Sequence, residues 1–398
     1  MTKIRDLAIC GGRPAFSEIL HVGRPNIGDK KKLFLRINDI LDRNWLTNNG
    51  PLVQELEKRI SDFLGVKHCI AMSNGTIALE IAIRALGFSG EVILPSFTFV
   101  ATAHALQWQE ITPVFCDIDP GTYNIDVEKI ESLVTSRTTG IIGTHLWGRP
   151  CDIEGLKRLA AKKGLRLLFD AAHAFATSYK GQMIGNFGHA EVFSFHATKI
   201  FNTFEGGAIV TNDDRLAKKI RLMKNFGFAG MDNVIYLGIN GKMNEVSAAM
   251  GLSSLENLDD FIKTNKENYE IYYGYLGNIN GIRMLKYNEK EKNNFQYIVI
   301  EIDENKIKVN RDKLMKILHA ENIRVRRYFY PGCHKMEPYR TCYPNAGLLL
   351  PETERISHRV LCFPTGTAIK KEDVKKICQL LLFIIERYEE IINLSICS

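Results

Sequence analysis

Residues Leu165–Asn212 read LRLLFDAAHAFATSYKGQMIGNFGHAEVFSFHATKIFNTFEGGAIVTN. Three short apolar runs stand in this stretch: LRLLFDAA, AEVFSFH and GGAIVTN. Each is bounded by glycine or small polar residues, so each predicts a strand. Two of the runs deliver a charge where the pattern otherwise reads as core. Asp170 closes the first, with His173 three residues on. Lys199 follows the second, ahead of the pair Gly206–Gly207. A lysine in apolar surroundings loses hydration, which disfavours its charged form and lowers its pKa. A neutral amine attacks carbonyl carbons. Taken alone, Lys199 also fits a side chain that snorkels to water. Asp170 fits a helix cap as well as the partner of a buried cation, and an isolated His173 fits a satisfied core histidine.

The same alternation extends to both sides. Upstream lie a helical LVQELEKRISDFL, a strand HCIAMS, a helix GTIALEIAIRALG, a strand EVILPSF and a helix VATAHALQWQ. A strand TPVFCDID, a helix DVEKIESLV, a strand GIIGTHL and a helix IEGLKRLAAKKG follow. Strands alternating with helices predict an α/β fold with a mostly parallel sheet covered on both faces. The pattern changes near residue 250. MGLSSLENLDDFIKTNKENYEIYYGYL reads as one long helix, FQYIVIEID as a strand and RDKLMKILHAENI as a helix. This predicts a large α/β domain over residues 1–250 and a smaller α+β domain over 251–398. The apolar tail ICQLLLFIIERYEEIINLSI reads as an amphipathic closing helix.

Composition excludes several classes. With 398 residues, 45% hydrophobic and 24% charged, the chain is ordinary for a globular protein and long enough for a large core. Its nine cysteines show no zinc spacing and read as reduced thiols, so a cytoplasmic location is expected. The start MTKIRDLAICGGRPAF lacks an apolar signal region, and no run of 18 apolar residues predicts a membrane span. The net charge of +7 is mild and no basic tract has interleaved aromatics, so neither nucleic acid nor membrane is an expected partner. DKKK at 29–32 reads as a solvated helix start.

A third strand end completes a set. In AMSNGTIALEI (71–81) a strand gives way to a small polar turn and a helix. The free N–H groups and dipole of that N-terminus suit a phosphate, although Ser73 or Asn74 as a plain N-cap accounts for the local pattern. In open α/β sheets ligands gather at the C-terminal strand ends. A phosphate cradle, a carboxylate and a lysine there match what pyridoxal 5′-phosphate asks for: an anion site for its phosphate, a carboxylate for its pyridine nitrogen and a lysine for its aldehyde.

These motifs resemble the DegT/DnrJ/EryC1/StrS sugar aminotransferases, among the fold-type I pyridoxal phosphate enzymes. The resemblance covers nearly the whole chain, from NWLTNNGPLVQELE through SNGT, PSFTFVATAHA, FDAAHA, SFHATK…EGG and GKMNEVSAAMG to YFYPGCHKMEPY. It implies that Lys199 forms the Schiff base and moves protons, and that Asp170 pairs with the pyridine nitrogen. It further implies that His173 lies by the phenolic oxygen, that Phe99 stacks on the ring, and that Gly75, Thr76 and Ser194 bind the phosphate. Asn244 would reach the phosphate of the neighbouring subunit's cofactor, which implies a homodimer with shared active sites.

Two spellings depart from the family. Its stacking position often holds tryptophan or tyrosine, and here it is Phe99. Many members read Gly-Glu-Gly-Gly where this chain reads FEGG, with Phe204 in the first place. Dehydratases of the family replace the lysine with histidine, so Lys199 favours transamination. The resemblance implies L-glutamate as amino donor and a nucleotide-linked keto sugar as acceptor, for O-antigen or other polysaccharide synthesis. AAHA at 171–174 points to a 4-keto group, hence dTDP-4-keto-6-deoxy-D-glucose, with a 3-keto sugar as the alternative. Arg324, Arg326 and Arg327 are candidates for the diphosphate, or a surface strand of alternating charge. His334 is a candidate for the sugar, or a loop histidine. A nucleotide-binding regulatory protein is the non-enzymatic alternative. It would carry GxGxxG after its first strand, where this chain has SNGTIA.

Overall fold

The computed structural model describes residues 3–395. Seven strands form the large sheet: β1 (His68–Met72), β2 (Glu91–Pro95), β3 (Thr112–Cys116), β4 (Thr138–Thr144), β5 (Arg166–Asp170), β6 (Ala190–Ser194) and β7 (Gly207–Thr211). Their order across the sheet is β1-β7-β6-β5-β4-β2-β3. β7 runs antiparallel to both its neighbours, and the other adjacent pairs are parallel. The fold is α/β with a mostly parallel central sheet, as the alternation predicts.

Strand geometry sends successive side chains to opposite faces, and here both faces are dry. Leu167 and Phe169 of β5 enter one core, and Leu168 between them enters the other. The first core is roofed by α1 (Lys30–Arg43), α2 (Pro51–Leu64) and further helices. The second is roofed by α3 (Gly75–Leu86) and α4 (Ala101–Gln107). Asp29 caps α1 by accepting from the backbone N–H groups of Lys31 and Lys32, which is the helix start that DKKK predicts.

Beyond the sheet, the expected long helix is two. Asn257 (φ −113°, ψ 9°) separates α5 (Glu245–Glu256) from α6 (Leu258–Leu276). A continuous run of helix formers hides this break, because no proline or glycine marks it. The expected closing helix also divides, into Lys371–Glu386 and Tyr388–Ser395, and Ile396 lies outside the described residues. Three antiparallel strands, β8 (Ile282–Met284), β9 (Ile298–Ile302) and β10 (Val360–Phe363), make a second sheet in that order. Leu7, Phe16 and Leu20 pack into its core, and Leu20–His21 pairs in parallel with Ile323–Arg324. The N-terminal segment is thus carried by the second sheet.

Antiparallel β7 has a direct consequence for the site. Its first residue, Gly207, pairs with Met72 at the end of β1 and with Ser194 at the end of β6. The loop from β6 to β7, which carries Lys199, therefore stays at the edge where the parallel strands finish. A Cβ at Gly207 would come within 2.8 Å of the Phe193 carbonyl oxygen and 2.9 Å of the Asn74 backbone, so only glycine fits. Phe204 in the same loop has φ 63°, the left-handed region that favours glycine. The usual family glycine suits this backbone; here a half-exposed phenylalanine adopts it.

One polar contact ties distant segments together. Glu245, fully buried at the start of α5, accepts from the N–H groups of Leu52 and Val53 at 2.9 Å each. Those are orphan donors of α2, whose N-cap, Gly50, has no side chain to satisfy them. Replacing Glu245 by alanine leaves both donors buried. A loss of about 2 kcal/mol in unfolding free energy is expected, read as a lower denaturant midpoint.

Candidate active site

The strand ends enclose a cavity of about 300 Å³. Thr144 ends β4, Asp170 ends β5 and Ser194 ends β6, and all three line it. Lys199 enters from the β6–β7 loop, and Gly75 and Thr76 from the first turn of α3. Gln296, Tyr297, Tyr328 and Phe329 close it from the second sheet's side.

At the anion end, Asn74 caps α3 by accepting from Ile77 N at 2.8 Å. Cap and cradle coexist, because this bond leaves the N–H groups of Gly75 and Thr76 without intrahelical acceptors. A Cβ at Gly75 would lie 3.0 Å from Ser194 Cβ and 3.3 Å from its Oγ. The missing side chain lets the Ser194 hydroxyl approach the helix N-terminus. The resulting donor set, two backbone N–H groups and a hydroxyl at a positive dipole end, is chemistry for a phosphate.

Asp170 is buried but not orphaned. Its Oδ2 accepts from Thr102 Oγ1 at 2.7 Å and its Oδ1 from Ala172 N at 3.1 Å. The two bonds hold the carboxylate in place in the cavity wall. Its local role is therefore neither a plain cap nor a direct ion pair.

The Lys199 amine is withdrawn from water and lies 3.5 Å from the Tyr297 hydroxyl, the outer limit of a hydrogen bond. Burial pulls its pKa down to about 8, against the upward pull of the Asp170 carboxylate. This answers the question of the buried cation: near neutrality a sizeable fraction is the free amine. His173 is pushed well below its ordinary pKa, first by burial and then by the charge of Lys199, so it is neutral. Its Nδ1 accepts from Trp147 N at 3.2 Å, which places the single proton on Nε2. Its ring packs against Tyr297 and stacks on Phe329, with centroids 4.6 and 5.7 Å away. Phe99 lines the cavity with its ring 55% exposed, at the mouth.

Other expected residues lie elsewhere. Asn244 is exposed, caps α5 through a bond from Ser247 N, and does not line its own chain's cavity. His334 is buried away from the cavity lining. Its Nδ1 bonds Ser96 Oγ at 2.7 Å and its Nε2 bonds Glu354 Oε1 at 2.9 Å, so both ring nitrogens have partners within this chain. Arg324, Arg326 and Arg327 are also absent from the lining. Arg327 pairs with Asp312 at 2.9 Å and covers the Tyr330 ring, and Arg326 covers Tyr328. A short run of arginines reads alike in sequence whether its partners are phosphates or, as here, a carboxylate and rings.

Four further residues escaped the sequence reading. Thr102 holds Asp170 from α4, Trp147 orients His173 through its backbone, and Gln296 and Tyr297 reach the lysine loop from the second sheet. Only the position of Thr102 in the first turn of a helix beside the sheet offered any signal. The others are long-range contacts without local pattern.

With this geometry in place, the relatives become informative. The pattern of the DegT/DnrJ/EryC1/StrS aminotransferase family matches residues 28–382. The chain belongs to that family. The dTDP-4-amino-4,6-dideoxy-D-glucose transaminase of Escherichia coli is 37% identical over 91% of this chain and 97% of its own length. The GDP-perosamine synthase of Escherichia coli O157:H7 is 33% identical over 90% and 96%. A solved structure of DesI, in the presence of its TDP-sugar product, superposes with a TM-score of 0.94. It is 46% identical and covers 98% of this chain and 99% of that one. Family membership makes this chain a sugar aminotransferase and sets aside the regulatory nucleotide-binding alternative. Among the described residues no group of side chains could hold a metal ion, and no helix is long and apolar enough to cross a membrane.

The depressed lysine pKa is directly testable. An exposed lysine, with a pKa near 10.4, gains reactivity through the whole range from pH 6 to 10. Lys199 loses its proton near 8, so its capture by a small aldehyde with borohydride reduction should rise about tenfold per unit below pH 8 and level off above it. Peptide mass spectrometry of protein free of cofactor reads the two profiles; parallel profiles contradict the assignment.

Proposed function

We propose that this chain transfers an amino group from L-glutamate to dTDP-4-keto-6-deoxy-D-glucose with pyridoxal 5′-phosphate as cofactor. The product, dTDP-4-amino-4,6-dideoxy-D-glucose, would serve polysaccharide synthesis such as that of an O-antigen. In this reading residues up to about 250 form the cofactor-holding domain, with an N-terminal extension that packs on the second sheet, and 251–398 form a smaller domain. The observation that carries it is the meeting, in one cavity, of a depressed lysine, a hydrogen-bonded carboxylate and a glycine–serine anion cradle. The sugar follows from AAHA at 171–174 and from the name of the 37% identical relative.

The residues fit the cofactor. Gly75, Thr76 and Ser194 would hold its phosphate, Asp170 its pyridine nitrogen, Phe99 one ring face, and His173 Nε2–H its phenolic oxygen. When bound, pyridoxal phosphate supplies the aldehyde that carries the amino group and the ring that accepts an electron pair. The protein supplies the rest. Asp170, held in place by Thr102 Oγ1 and Ala172 N, would face the ring nitrogen and stabilise a proton there. Lys199 would hold the aldehyde in the resting enzyme, and its amine, once free, would be the base that carries a proton to and from the donor's α-carbon. With a pKa of about 8, roughly a quarter of it is a neutral base at pH 7.5. The fixed tautomer of His173 lets it donate to the phenolic oxygen without itself titrating. The same amine serves the sugar half in reverse.

A second copy of the chain completes the assembly in this proposal. Phe34, Leu35 and Leu41 on α1 are more than half exposed, as are Met231, Val234 and Leu237 in the loop after the helix Asp214–Met223. Asn244, exposed and outside its own chain's cavity lining, would serve another subunit's cofactor. Sedimentation should give twice the chain mass.

The test is spectroscopic. Protein supplied with pyridoxal phosphate should turn yellow, bleach on adding glutamate, and recover its colour on adding the keto sugar. Absence of any visible band with excess cofactor sinks the proposal. Recovery only with a 3-keto sugar, established by NMR of the product, replaces the acceptor and retains the chemistry.

A further inference from the structure

Lys199 sits on a loop, yet the two peptide carbonyls that flank it are both held. Gln296 Nε2 donates to the Thr198 carbonyl at 2.8 Å, and Asn26 Nδ2 donates to the Ile200 carbonyl at 3.3 Å. Among the described residues neither carbonyl has another hydrogen-bond partner. Each grip is thus a single side-chain amide, and neither amide belongs to the large sheet. Gln296 precedes β9, and Asn26 lies in the N-terminal segment ahead of α1.

Asn26 is fixed in its orientation. It is 4% exposed, and its Oδ1 accepts from Thr367 N at 3.1 Å and from Thr367 Oγ1 at 2.9 Å. Turning the amide round would set its oxygen against the Ile200 carbonyl and its NH2 against the Thr367 N–H, so the donor faces the loop. Its own carbonyl accepts from Asn202 Nδ2 at 2.8 Å, further along the same loop. Gly23, three residues upstream, presses on Thr198: a Cβ there would lie 2.9 Å from Thr198 Cβ. The segment that delivers both residues is paired through Leu20–His21 with Ile323–Arg324.

Apolar burial alone would leave the amine loosely aimed. Ile200 and Phe201, next along the loop, are fully buried, but apolar contact is not directional. Hydrogen bonds to the flanking carbonyls fix the two peptide planes, and with them the direction in which the Lys199 side chain leaves the backbone. A reacting group works only when it is held to within about half an ångström. We infer that Asn26 and Gln296 are positioning residues: two amides from outside the large sheet grip the peptide units on either side of Lys199 and fix where its amine stands in the cavity.

Capture of Lys199 by a small aldehyde with borohydride, read by peptide mass spectrometry on cofactor-free protein, gives the first arm of the test. Wild type should level off above pH 8. In Asn26→Ala and in Gln296→Met the loosened loop should admit water to the amine. The levelling-off should then move up by about half to one pH unit, and capture at pH 7 should fall about three- to tenfold. The ionisable groups that line the cavity with the amine are unchanged in both variants: Asp170, His173, Tyr297 and Tyr328, with His196 and Glu205 on the loop itself. Thr367→Val, which removes one bond behind Asn26, should act in the same direction by less. Asn26 does not line the cavity, so in cofactor-loaded Asn26→Ala the glutamate half should lose a similar factor in kcat with KM within about twofold of wild type. This second arm rests on the function proposed above.

Capture profiles that coincide with wild type overturn the inference, even where the variants melt at lower temperature, because the two amides would then be general supports of the fold. So does a loss confined to KM. If one variant fails to fold, the other decides, since each bond is made by a different segment. A wild-type protein that never bleaches with glutamate removes the proposed function and leaves the capture arm standing.

Discussion

Keeping the Lys199 amine out of water, within the field of Asp170, is the constraint around which the cavity is organised. Desolvation alone would strip the proton far below its ordinary range. The carboxylate resists, and the balance is a pKa of about 8. That balance requires both groups to be held, because either one free to rotate would find water. Asp170 is held by Thr102 and by a backbone N–H, and Lys199 by a loop clamped between β6 and β7. The surrounding rings of Tyr297, His173 and Phe329 keep the space dry.

The sheet provides the geometry for this. Parallel strands finish at one edge, and their last residues become neighbours although far apart in sequence. Antiparallel β7 returns the lysine loop to that same edge, with Gly207 tolerating the contact with Asn74 that closes the anion end. The second sheet then adds residues that no strand end of the first could supply. Gln296 and Tyr297 immediately precede β9 and meet Thr198 and Lys199 across the cavity.

How much of this was legible in advance follows from the physics of each residue. Asp170, Ser194 and the Ser-Asn-Gly-Thr turn stood at recognisable junctions, where a period of two gives way to a turn. Phe204 was visible as a departure, but its meaning needed a dihedral angle: a left-handed backbone explains why glycine is usual there. For His334 and the arginines the sequence shows a polar side chain's need for a partner without naming it; within this chain Glu354 meets it for His334, Asp312 and Tyr330 for Arg327, and Tyr328 for Arg326. The long helix through residue 257 misled because a break by backbone angle alone leaves no composition signal.

By itself the sequence determined the layered α/β architecture, the strand ends that line the cavity, and the lysine set in apolar surroundings beside them. These depend on local periodicity and on residues whose burial is costly, and both are written along the chain. Only the tertiary structure decided which groups share the cavity with Lys199 and which proton His173 carries. Those depend on distances between segments as remote as Trp147 and His173 or Thr198 and Gln296. Such distances are set by how strands are ordered and sheets are packed, and no local spacing encodes them.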